Sequence, residues 1–254
     1  MRNELLLPGE RLDDLQRDGL MLIQNPAWFC FGIDAVLLSS FARVSEGNKV
    51  LDLGCGNGII PILLASKTEA ESIEGLEIQE KIAQMARRSV SYNHLESKIH
   101  ITTGDIKEAS SLWKGSSFDV ITTNPPYISE SHGLTNPASH KAIARHELKC
   151  SLEDVLTASA KLLKPGGHFF MVHRPSRLGE ILSKMISHRI EPKRLQLVYP
   201  YVDKEPNMVL IEGARGGNSG MKVEKPFIVY QDVNVYTKQL LECYGKTEPE
   251  SCER

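Results

Sequence analysis

A glycine-rich segment between a strand-like run and a helical pattern constrains the fold most. The segment reads Gly54-Cys55-Gly56-Asn57-Gly58, and it directly follows the apolar run Lys49–Leu53. Ile59–Ser66 then has helical spacing, so the pattern predicts a strand, a tight loop and a helix. Glycines in such a loop let a ligand approach the backbone closely, at the N-terminus of a helix. We therefore predict a ligand site where this first strand ends.

Strand and helix patterns alternate along the rest of the chain, which favours an α/β fold with a mainly parallel sheet covered on both faces. The turn-rich residues 203–207 separate two final strands and indicate that these pair in antiparallel fashion. Lys164-Pro165-Gly166-Gly167 is expected to end a helix before the next strand. The predicted strands are Ser72–Glu77, Lys98–Thr103, Phe118–Thr123, His168–His173, Leu195–Tyr199 and Met208–Gly213, and the predicted helices are Gln79–Asn93, Leu152–Leu163 and Arg177–His188.

Charge and composition exclude several classes of protein. The 254 residues carry 30 basic and 32 acidic side chains, so bulk charge does not favour nucleic-acid binding, although a local basic patch remains open. No apolar run is long enough for a membrane span, and the three leucines near the N-terminus do not make a signal peptide. The five cysteines are scattered, which is typical of reduced thiols; we expect a cytoplasmic protein without a membrane.

Acidic residues follow the next two predicted strands, in register with the glycine loop. Glu77 ends the second strand and Asp105 follows the third. In an open parallel sheet, ligands bind at the carboxyl ends of the strands, so all these residues are expected to meet. The spacing Gly-x-Gly-x-Gly differs from the Gly-x-Gly-x-x-Gly of nicotinamide enzymes, which disfavours a dehydrogenase.

This combination resembles the S-adenosylmethionine loop of the class I methyltransferases. The resemblance implies that Gly54, Gly56 and Gly58 cradle this cofactor. It further implies that Glu77 accepts hydrogen bonds from the ribose hydroxyls and that Asp105 accepts one from the adenine amine. Cys55 is expected to be a small buried filler rather than a nucleophile. The full set of expected cofactor-binding residues is Asp34, Asp52, Gly54, Cys55, Gly56, Asn57, Gly58, Glu77, Ile78, Asp105, Ile106 and Asn124.

Asn124-Pro125-Pro126-Tyr127 follows the fourth predicted strand and points to a planar amine as the substrate. Neither proline has an N–H, so this stiff segment offers carbonyl acceptors, together with the Asn124 side-chain oxygen. Two such acceptors can hold both N–H bonds of an exocyclic amine and disperse the positive charge that develops during its attack. The segment resembles the Asn-Pro-Pro-Tyr box of methyltransferases that act on planar amino groups. That resemblance makes these four residues the catalytic candidates, with Tyr127 stacking on the substrate ring.

Three further segments resemble parts of the tRNA adenine-N6 methyltransferases that modify the adenosine next to the anticodon of a valine tRNA. Phe31-Gly32-Ile33-Asp34-Ala35-Val36-Leu37-Leu38 matches their helix start, in which Asp34 fits as an N-cap or first-turn acid. Ala144-Arg145-His146-Glu147 and Arg174-Pro175-Ser176-Arg177 continue the likeness. The resemblance implies a Rossmann-like, seven-stranded, mostly parallel sheet with an antiparallel last strand, S-adenosylmethionine as cofactor and tRNA as substrate.

The same resemblance implies that the chain is divided into three parts. Residues 1–48 would be an arm that closes over the cofactor and substrate, 49–213 the methyltransferase core, and 214–254 an extension to which no role is assigned. Arg145, Arg174 and Arg177 are the expected phosphate-binding residues, because they follow predicted strand ends. No metal is expected, since His132, His140 and His146 have no usual ligand spacing.

Three alternatives remain open. The N5-glutamine methyltransferases of peptide release factors share the Asn-Pro-Pro-Tyr box, but they carry a long helical domain before the glycine loop, where this chain has only about fifty residues. Another exocyclic amine, such as guanine N2 or a DNA base, would suit the same chemistry. A non-catalytic RNA-binding protein with this fold would not need an amine-gripping segment.

Overall fold

A computed structural model describes residues 5–28, 31–125 and 150–246. Its centre is a sheet whose main strands are β3 (Lys49–Leu53), β4 (Ser72–Glu77), β5 (Ile99–Thr103), β6 (Phe118–Thr123), β7 (Leu163–His173), β8 (Ile190–Tyr199) and β9 (Met208–Arg215). A separate hairpin, β1 (Arg11–Asp14) with β2 (Met21–Gln24), precedes the sheet. The helices are α1 (Ile33–Phe41), α2 (Ile59–Lys67), α3 (Glu80–Tyr92), α4 (Ala109–Leu112), α5 (Leu152–Leu162), α6 (Leu178–Ser187) and α7 (Lys238–Cys243).

The sheet has the strand order β5-β4-β3-β6-β7-β9-β8. Neighbouring strands are parallel from β5 to β7, whereas β9 is antiparallel to both β7 and β8. The predicted mostly parallel sheet with an antiparallel last strand is thus confirmed. The count of seven strands is too low, because β10 (Lys222–Val223) and β11 (Phe227–Ile228) add to the outer edge of β8. A last short hairpin, β12 (Tyr230–Asp232) with β13 (Val235–Tyr236), follows them.

The side chains of the central strands alternate between the two faces of the sheet, and this divides the core into two halves. Val50 and Val120 pack into one cluster with α1, α2 and α7, whereas Leu51 and Ile121 pack into the other with α5 and α6. Successive side chains of a strand point to opposite faces, so burial of residues 50–53 covers both faces of β3. Among the residues described, no helix is both long and apolar enough to cross a membrane.

Two strands begin earlier than the sequence predicts. Leu163 already pairs with Phe118, and the register then shifts so that His168 pairs with Val120. The Pro165-Gly166-Gly167 run therefore interrupts β7 as a bulge instead of preceding it. The other early strand is β8, which begins at Ile190 and has its own irregularity at Pro192. Proline cannot donate to a ladder and is tolerated at such irregularities, which hide the start of a strand from pattern reading.

The N-terminal and C-terminal segments pack against the same face of the sheet. Ser89 Oγ of α3 accepts from Ile23 N at 3.0 Å, and Asn93 accepts from Met21 N at 2.9 Å and donates back to Met21 O at 2.7 Å. Leu240 of α7 is buried in the cluster that contains α1. β9 extends to Arg215, past the expected core boundary at residue 213. The division into arm, core and extension remains a prediction.

A buried ion pair fastens α1 to the antiparallel end of the sheet. Arg194 Nε donates to Glu212 Oε2 at 2.6 Å, and Arg194 Nη2 donates to the carbonyl oxygen of Phe41 at 2.6 Å. The guanidinium also lies over the Phe41 ring, 3.8 Å from its centroid. Burial alone would raise the pKa of Glu212, but hydrogen bonds from His168 and Arg194 outweigh it and hold that pKa below its ordinary value. This cluster couples the C-terminal end of α1 to β8 and β9.

We expect Arg194→Met to lower the free energy of unfolding by about 3 kcal/mol near neutral pH, because it leaves the buried Glu212 carboxylate without its arginine partner. Since the pKa of Glu212 is lowered in the folded state, the pair's contribution is lost as pH falls through that pKa, so the cost should shrink in acid. Urea unfolding near neutral pH and in acid measures this loss of stability. Lys222→Met, which removes an exposed pair with Glu224, is the control and should leave stability unchanged; equal losses in both variants would contradict the assignment.

Candidate active site

The glycine loop leaves open space beside two of its three glycines. Gly54, Gly56 and Gly58 have φ values of 75°, 55° and 85°, a left-handed conformation that glycine adopts without the strain a side chain would bring. A Cβ at Gly54 or Gly56 would meet no heavy atom of the described chain within 4 Å, whereas one at Gly58 would lie 3.3 Å from Ala86 Cβ. The first two glycines therefore border open space, and the third allows α2 to begin close against α3.

Glu77 is fixed beside this loop at the end of β4. Its Oε2 accepts from Gly56 N at 3.1 Å and its Oε1 from Gln79 N at 2.8 Å. Both oxygens keep unused acceptor capacity, because an ionised carboxylate offers about four lone-pair positions. The next residue, Ile78, is 40% exposed and adds an apolar side chain at the same edge.

Asp105 lies at the end of the neighbouring strand β5. It caps a short 3₁₀ turn, Ile106–Glu108, by accepting from Lys107 N at 2.9 Å. Ile106 packs half-buried against the cluster that contains α5. The structure thus brings the glycine loop, Glu77 and Asp105 to one edge of the sheet, where the parallel strands end; we call it the carboxyl edge.

Asp52 is a buried carboxylate beneath the loop. Its side chain is fully buried, and its Oδ1 accepts from Thr122 Oγ1 at 2.7 Å. Its Oδ2 has no hydrogen-bond partner among the residues described. Burial raises the pKa of Asp52 to about 7; the Thr122 hydrogen bond opposes this shift, and the charge of Glu77 adds to it. A buried acceptor of this kind is stabilised by a nearby positive charge.

Cys55 fills a space that glycine leaves in the neighbouring strand. A Cβ at Gly75 would lie 2.8 Å from Cys55 Sγ, so the thiol occupies the volume above that glycine. Burial, with the charges of Asp52 and Glu77, raises the pKa of the thiol well above its ordinary value. The group is a neutral thiol rather than a nucleophilic thiolate, which supports its interpretation as a filler.

Asn124 lies immediately after β6 and contacts the start of α1. Its Nδ2 donates to Asp34 Oδ2 at 3.1 Å. Asp34 is in the first turn of α1, whose N-cap is Gly32, so Asp34 is the first-turn acid and not the cap. Pro125 follows Asn124, while Pro126, Tyr127 and Arg145 lie outside the described residues.

Gln24 connects the N-terminal hairpin to the glycine loop, a contact that sequence reasoning missed. Its Oε1 accepts from Asn57 Nδ2 at 3.2 Å and from Phe31 N at 2.9 Å, and its Nε2 donates to Asp13. The side chain is almost completely buried. In the sequence, the only indication of this contact is a glutamine that directly follows the apolar pair Leu22-Ile23.

Arg174 and Arg177, two of the expected phosphate-binding residues, follow β7 at the carboxyl edge, and both make contacts within the chain. Arg174 Nη1 donates to Asn207 O at 2.8 Å, and Arg177 donates to both oxygens of Glu180 at 3.0 and 3.1 Å. Their role toward a substrate stays a prediction. His173, the last residue of β7, is buried, and its burial together with the charge of Arg177 lowers its pKa to about 4. Within the described ranges, no three His, Cys, Asp or Glu side chains form a group that could hold a metal.

Comparisons with known proteins identify the family of this chain. Residues 32–189 match the model of the methyltransferase small domain family. A tRNA1(Val) (adenine(37)-N6)-methyltransferase of Aeromonas salmonicida is 31% identical over 188 residues, which are 74% of this chain and 77% of the relative. One of the same name from Porphyromonas gingivalis is 31% identical over 187 residues, 71% of this chain and 72% of the relative.

Solved structures share the fold at low sequence identity. A structure from Agrobacterium tumefaciens described as a predicted O-methyltransferase superposes with a TM-score of 0.68 at 20% identity, over 84% of this chain and 95% of that one. At this identity the likeness concerns the fold alone.

We expect Asp52→Asn to become progressively more stable than the unmodified protein as pH rises from 4 to 7. The raised pKa means that the folded state resists ionisation of Asp52, so the stability the neutral group provides is lost as pH rises through the folded pKa. The difference in unfolding free energy should grow by up to about 1.4 kcal/mol per pH unit and level off above pH 7.

Urea unfolding across this pH range measures the difference. Asp119→Asn is the matched control: burial opposes but does not outweigh the hydrogen bonds from Lys164 that lower the pKa of Asp119. Asp119→Asn should therefore gain no stability relative to the unmodified protein as pH rises from 4 to 7. If the unfolding free energy of Asp52→Asn changes with pH in parallel with that of the unmodified protein, the pKa of Asp52 is not raised.

Proposed function

We infer the function from the premise that the chain belongs to the methyltransferase small domain family, among the relatives of the tRNA1(Val) (adenine(37)-N6)-methyltransferases. It is a class I methyltransferase that depends on S-adenosylmethionine. We propose that it transfers a methyl group to the exocyclic N6 amine of adenosine in tRNA. The names of its relatives state adenine 37 of tRNA1(Val), so this nucleotide is the first substrate to test.

The described residues fit the cofactor. The space beside Gly54 and Gly56 would admit it close to the backbone, with Glu77 accepting from its ribose and Asp105 from its adenine. The buried Oδ2 of Asp52, which has no partner within the described part of the chain, suits a ligand that carries positive charge, as both the sulfonium and the ammonium of S-adenosylmethionine do. When bound, S-adenosylmethionine supplies an electrophilic methyl group. We propose these assignments for the residues at the carboxyl edge.

One observation carries the proposal: the register of β3 with β6 puts Asn124 next to the glycine loop. Leu53 pairs with Thr123, and Thr123 Oγ1 donates to Leu53 O at 2.9 Å. The residues that follow, Gly54 and Asn124, are therefore neighbours across the two strands. An amine held at Asn124 would lie close to a ligand held at the loop, and holding two reactants in place removes much of the entropic barrier to their reaction.

The amine is a weak nucleophile because its lone pair is delocalised into the adenine ring. We propose that Asn124 Oδ1 and the Pro125 carbonyl oxygen each accept a hydrogen bond from one N–H of this amine. Acceptors in these positions favour a pyramidal nitrogen and disperse its developing positive charge. The proton can leave after the transfer, so the step requires no general base.

Recognition of the base would involve residues that follow Asn124 in the chain. The target nitrogen is accessible only when the adenine leaves its stack, so a flat side chain such as Tyr127 would hold the extruded base. Arg145, Arg174 and Arg177 are the proposed contacts with the tRNA backbone. These roles come from the sequence motif and from the substrate that the relatives' names state.

Labelled methyl transfer from S-adenosylmethionine into total RNA of cells lacking this protein tests the proposed function. Nucleoside analysis should place the label in N6-methyladenosine. Label in another nucleoside would keep the chemistry and overturn the substrate base. Label only in added peptide release factor would identify a protein glutamine as the substrate instead.

We expect Asn124→Ala to lower kcat by about 100-fold, because it removes one of the two acceptors of the amine. The resemblance also counted Asn124 among the cofactor-binding residues, but the roles proposed here give it to the amine. The affinity for S-adenosylmethionine should therefore stay unchanged in calorimetry. A loss of turnover that is matched by an equal loss of cofactor affinity would refute this division of roles.

We expect Glu77→Gln to weaken S-adenosylmethionine binding by about tenfold, because an amide keeps only one acceptor oxygen for the loop and the ribose. Glu74→Gln is the matched control on the same strand, β4. The Glu74 side chain lies near His100, 3.6 Å away, and not in the loop. Calorimetry should show unchanged affinity for the control; equal effects of both substitutions would count against a ribose contact by Glu77.

A further inference from the structure

We propose that Asp34 is a positioning residue that fixes the side-chain amide of Asn124 in its productive orientation. The inference rests on the proposed function, in which Asn124 Oδ1 accepts from the target amine. It assigns to Asp34 a role toward the substrate, whereas the sequence motif had suggested a cofactor contact.

The orientation follows from the chemistry of the two groups. A carboxylate oxygen only accepts hydrogen bonds, whereas an asparagine amide has a donating and an accepting end. Asn124 Nδ2 donates to Asp34 Oδ2 at 3.1 Å, and this pairing turns Asn124 Oδ1 away from Asp34. The reversed amide would bring its oxygen against the carboxylate, with both lone pairs facing each other.

An amide without this partner would have two comparable orientations. In the reversed one, its NH₂ group would face the NH₂ group of the substrate, and two donors cannot hydrogen-bond to each other. A hydrogen bond to a charged group is stronger than one between neutral groups, and losing it disfavours the reversed orientation. Asp34 therefore supplies the orientation that Asn124 needs, without touching the reacting atoms.

The position of Asp34 is itself well defined. Its side chain is only 8% exposed, and its Oδ1 accepts from Ala35 N at 2.9 Å in the first turn of α1. A Cβ at Gly32 would lie 2.9 Å from Asp34 Oδ1, so glycine at position 32 leaves the room that the carboxylate occupies. The Gly-x-Asp spacing of the sequence motif thus has a steric explanation.

The N-terminal hairpin holds the segment before Asp34 in place. Gln24 accepts from Phe31 N at 2.9 Å and from Asn57 Nδ2 at 3.2 Å, and so ties the start of α1 to the glycine loop. Through Asp34, the same segment reaches Asn124 at the end of β6. The hairpin thus sets the spacing between the proposed cofactor loop and the proposed amine acceptor.

The test compares Asp34→Ala and Asp34→Asn in the full-length enzyme. We expect Asp34→Ala to lower kcat about tenfold, with KM for RNA and affinity for S-adenosylmethionine within about twofold of the unmodified enzyme. Asp34→Asn should retain more activity, because its side-chain oxygen can still accept from Asn124. Gly32→Ala should act in the same direction by displacing the carboxylate without removing it. Thermal unfolding shows which variants fold.

A second measurement does not depend on activity. In protein labelled with ¹⁵N-asparagine, the Asn124 side-chain amide resonances, assigned through Asn124→Ala, should move and lose protection from exchange in Asp34→Ala. Unchanged kcat or unmoved resonances would overturn the positioning role, and a loss confined to cofactor affinity would return Asp34 to the cofactor. If the unmodified enzyme methylates no RNA but the resonances move, the proposed function fails while the positioning role stands.

Discussion

The parallel pairing of β3 with β6 is the constraint on which the rest of the site depends. The two strands lie at the centre of the sheet and are buried on both faces, so their apolar side chains leave them one register. A shift by one residue would turn every side chain to the opposite face. That register sets Gly54 beside Asn124, and it also aligns Asp52 with Thr122, which donates to it. Core packing therefore determines which polar groups meet.

Glu77, Asp34 and Asp52 are acids at or just beneath the carboxyl edge of the sheet, and the structure accommodates each of them differently. Backbone N–H groups of the loop and of the residue before α3 hold the carboxylate of Glu77. The Asn124 amide and the Ala35 N–H hold that of Asp34. Among the residues that the structure describes, Asp52 has only the Thr122 hydroxyl, which donates to one of its oxygens, and burial raises its pKa. A buried carboxylate that lacks partners costs free energy in the folded protein, and such a cost is typical of residues kept for a ligand.

Elements outside the central sheet support the site at a distance. The β1–β2 hairpin is anchored to α3 and, through Gln24, to the glycine loop. Arg194 and Glu212 fasten the other end of α1 to the sheet. Helix α1 is thus held at both ends, and its first turn contacts Asn124. Rigid support of this kind is what keeps a polar group oriented to within a fraction of an ångström.

The sequence by itself determined the order of strands and helices, the glycine loop and the acids after β4 and β5, because periodicity, glycine spacing and strand ends are local signals. It also carried the motif that led to the family. Only the tertiary structure decided that Asp34 meets Asn124 and that Gln24 joins the hairpin to the loop. It also decided that one oxygen of Asp52 has no partner in the described ranges, and that two short strands extend the sheet. These contacts join residues far apart in the chain, and packing of the whole domain selects them, which no local pattern records.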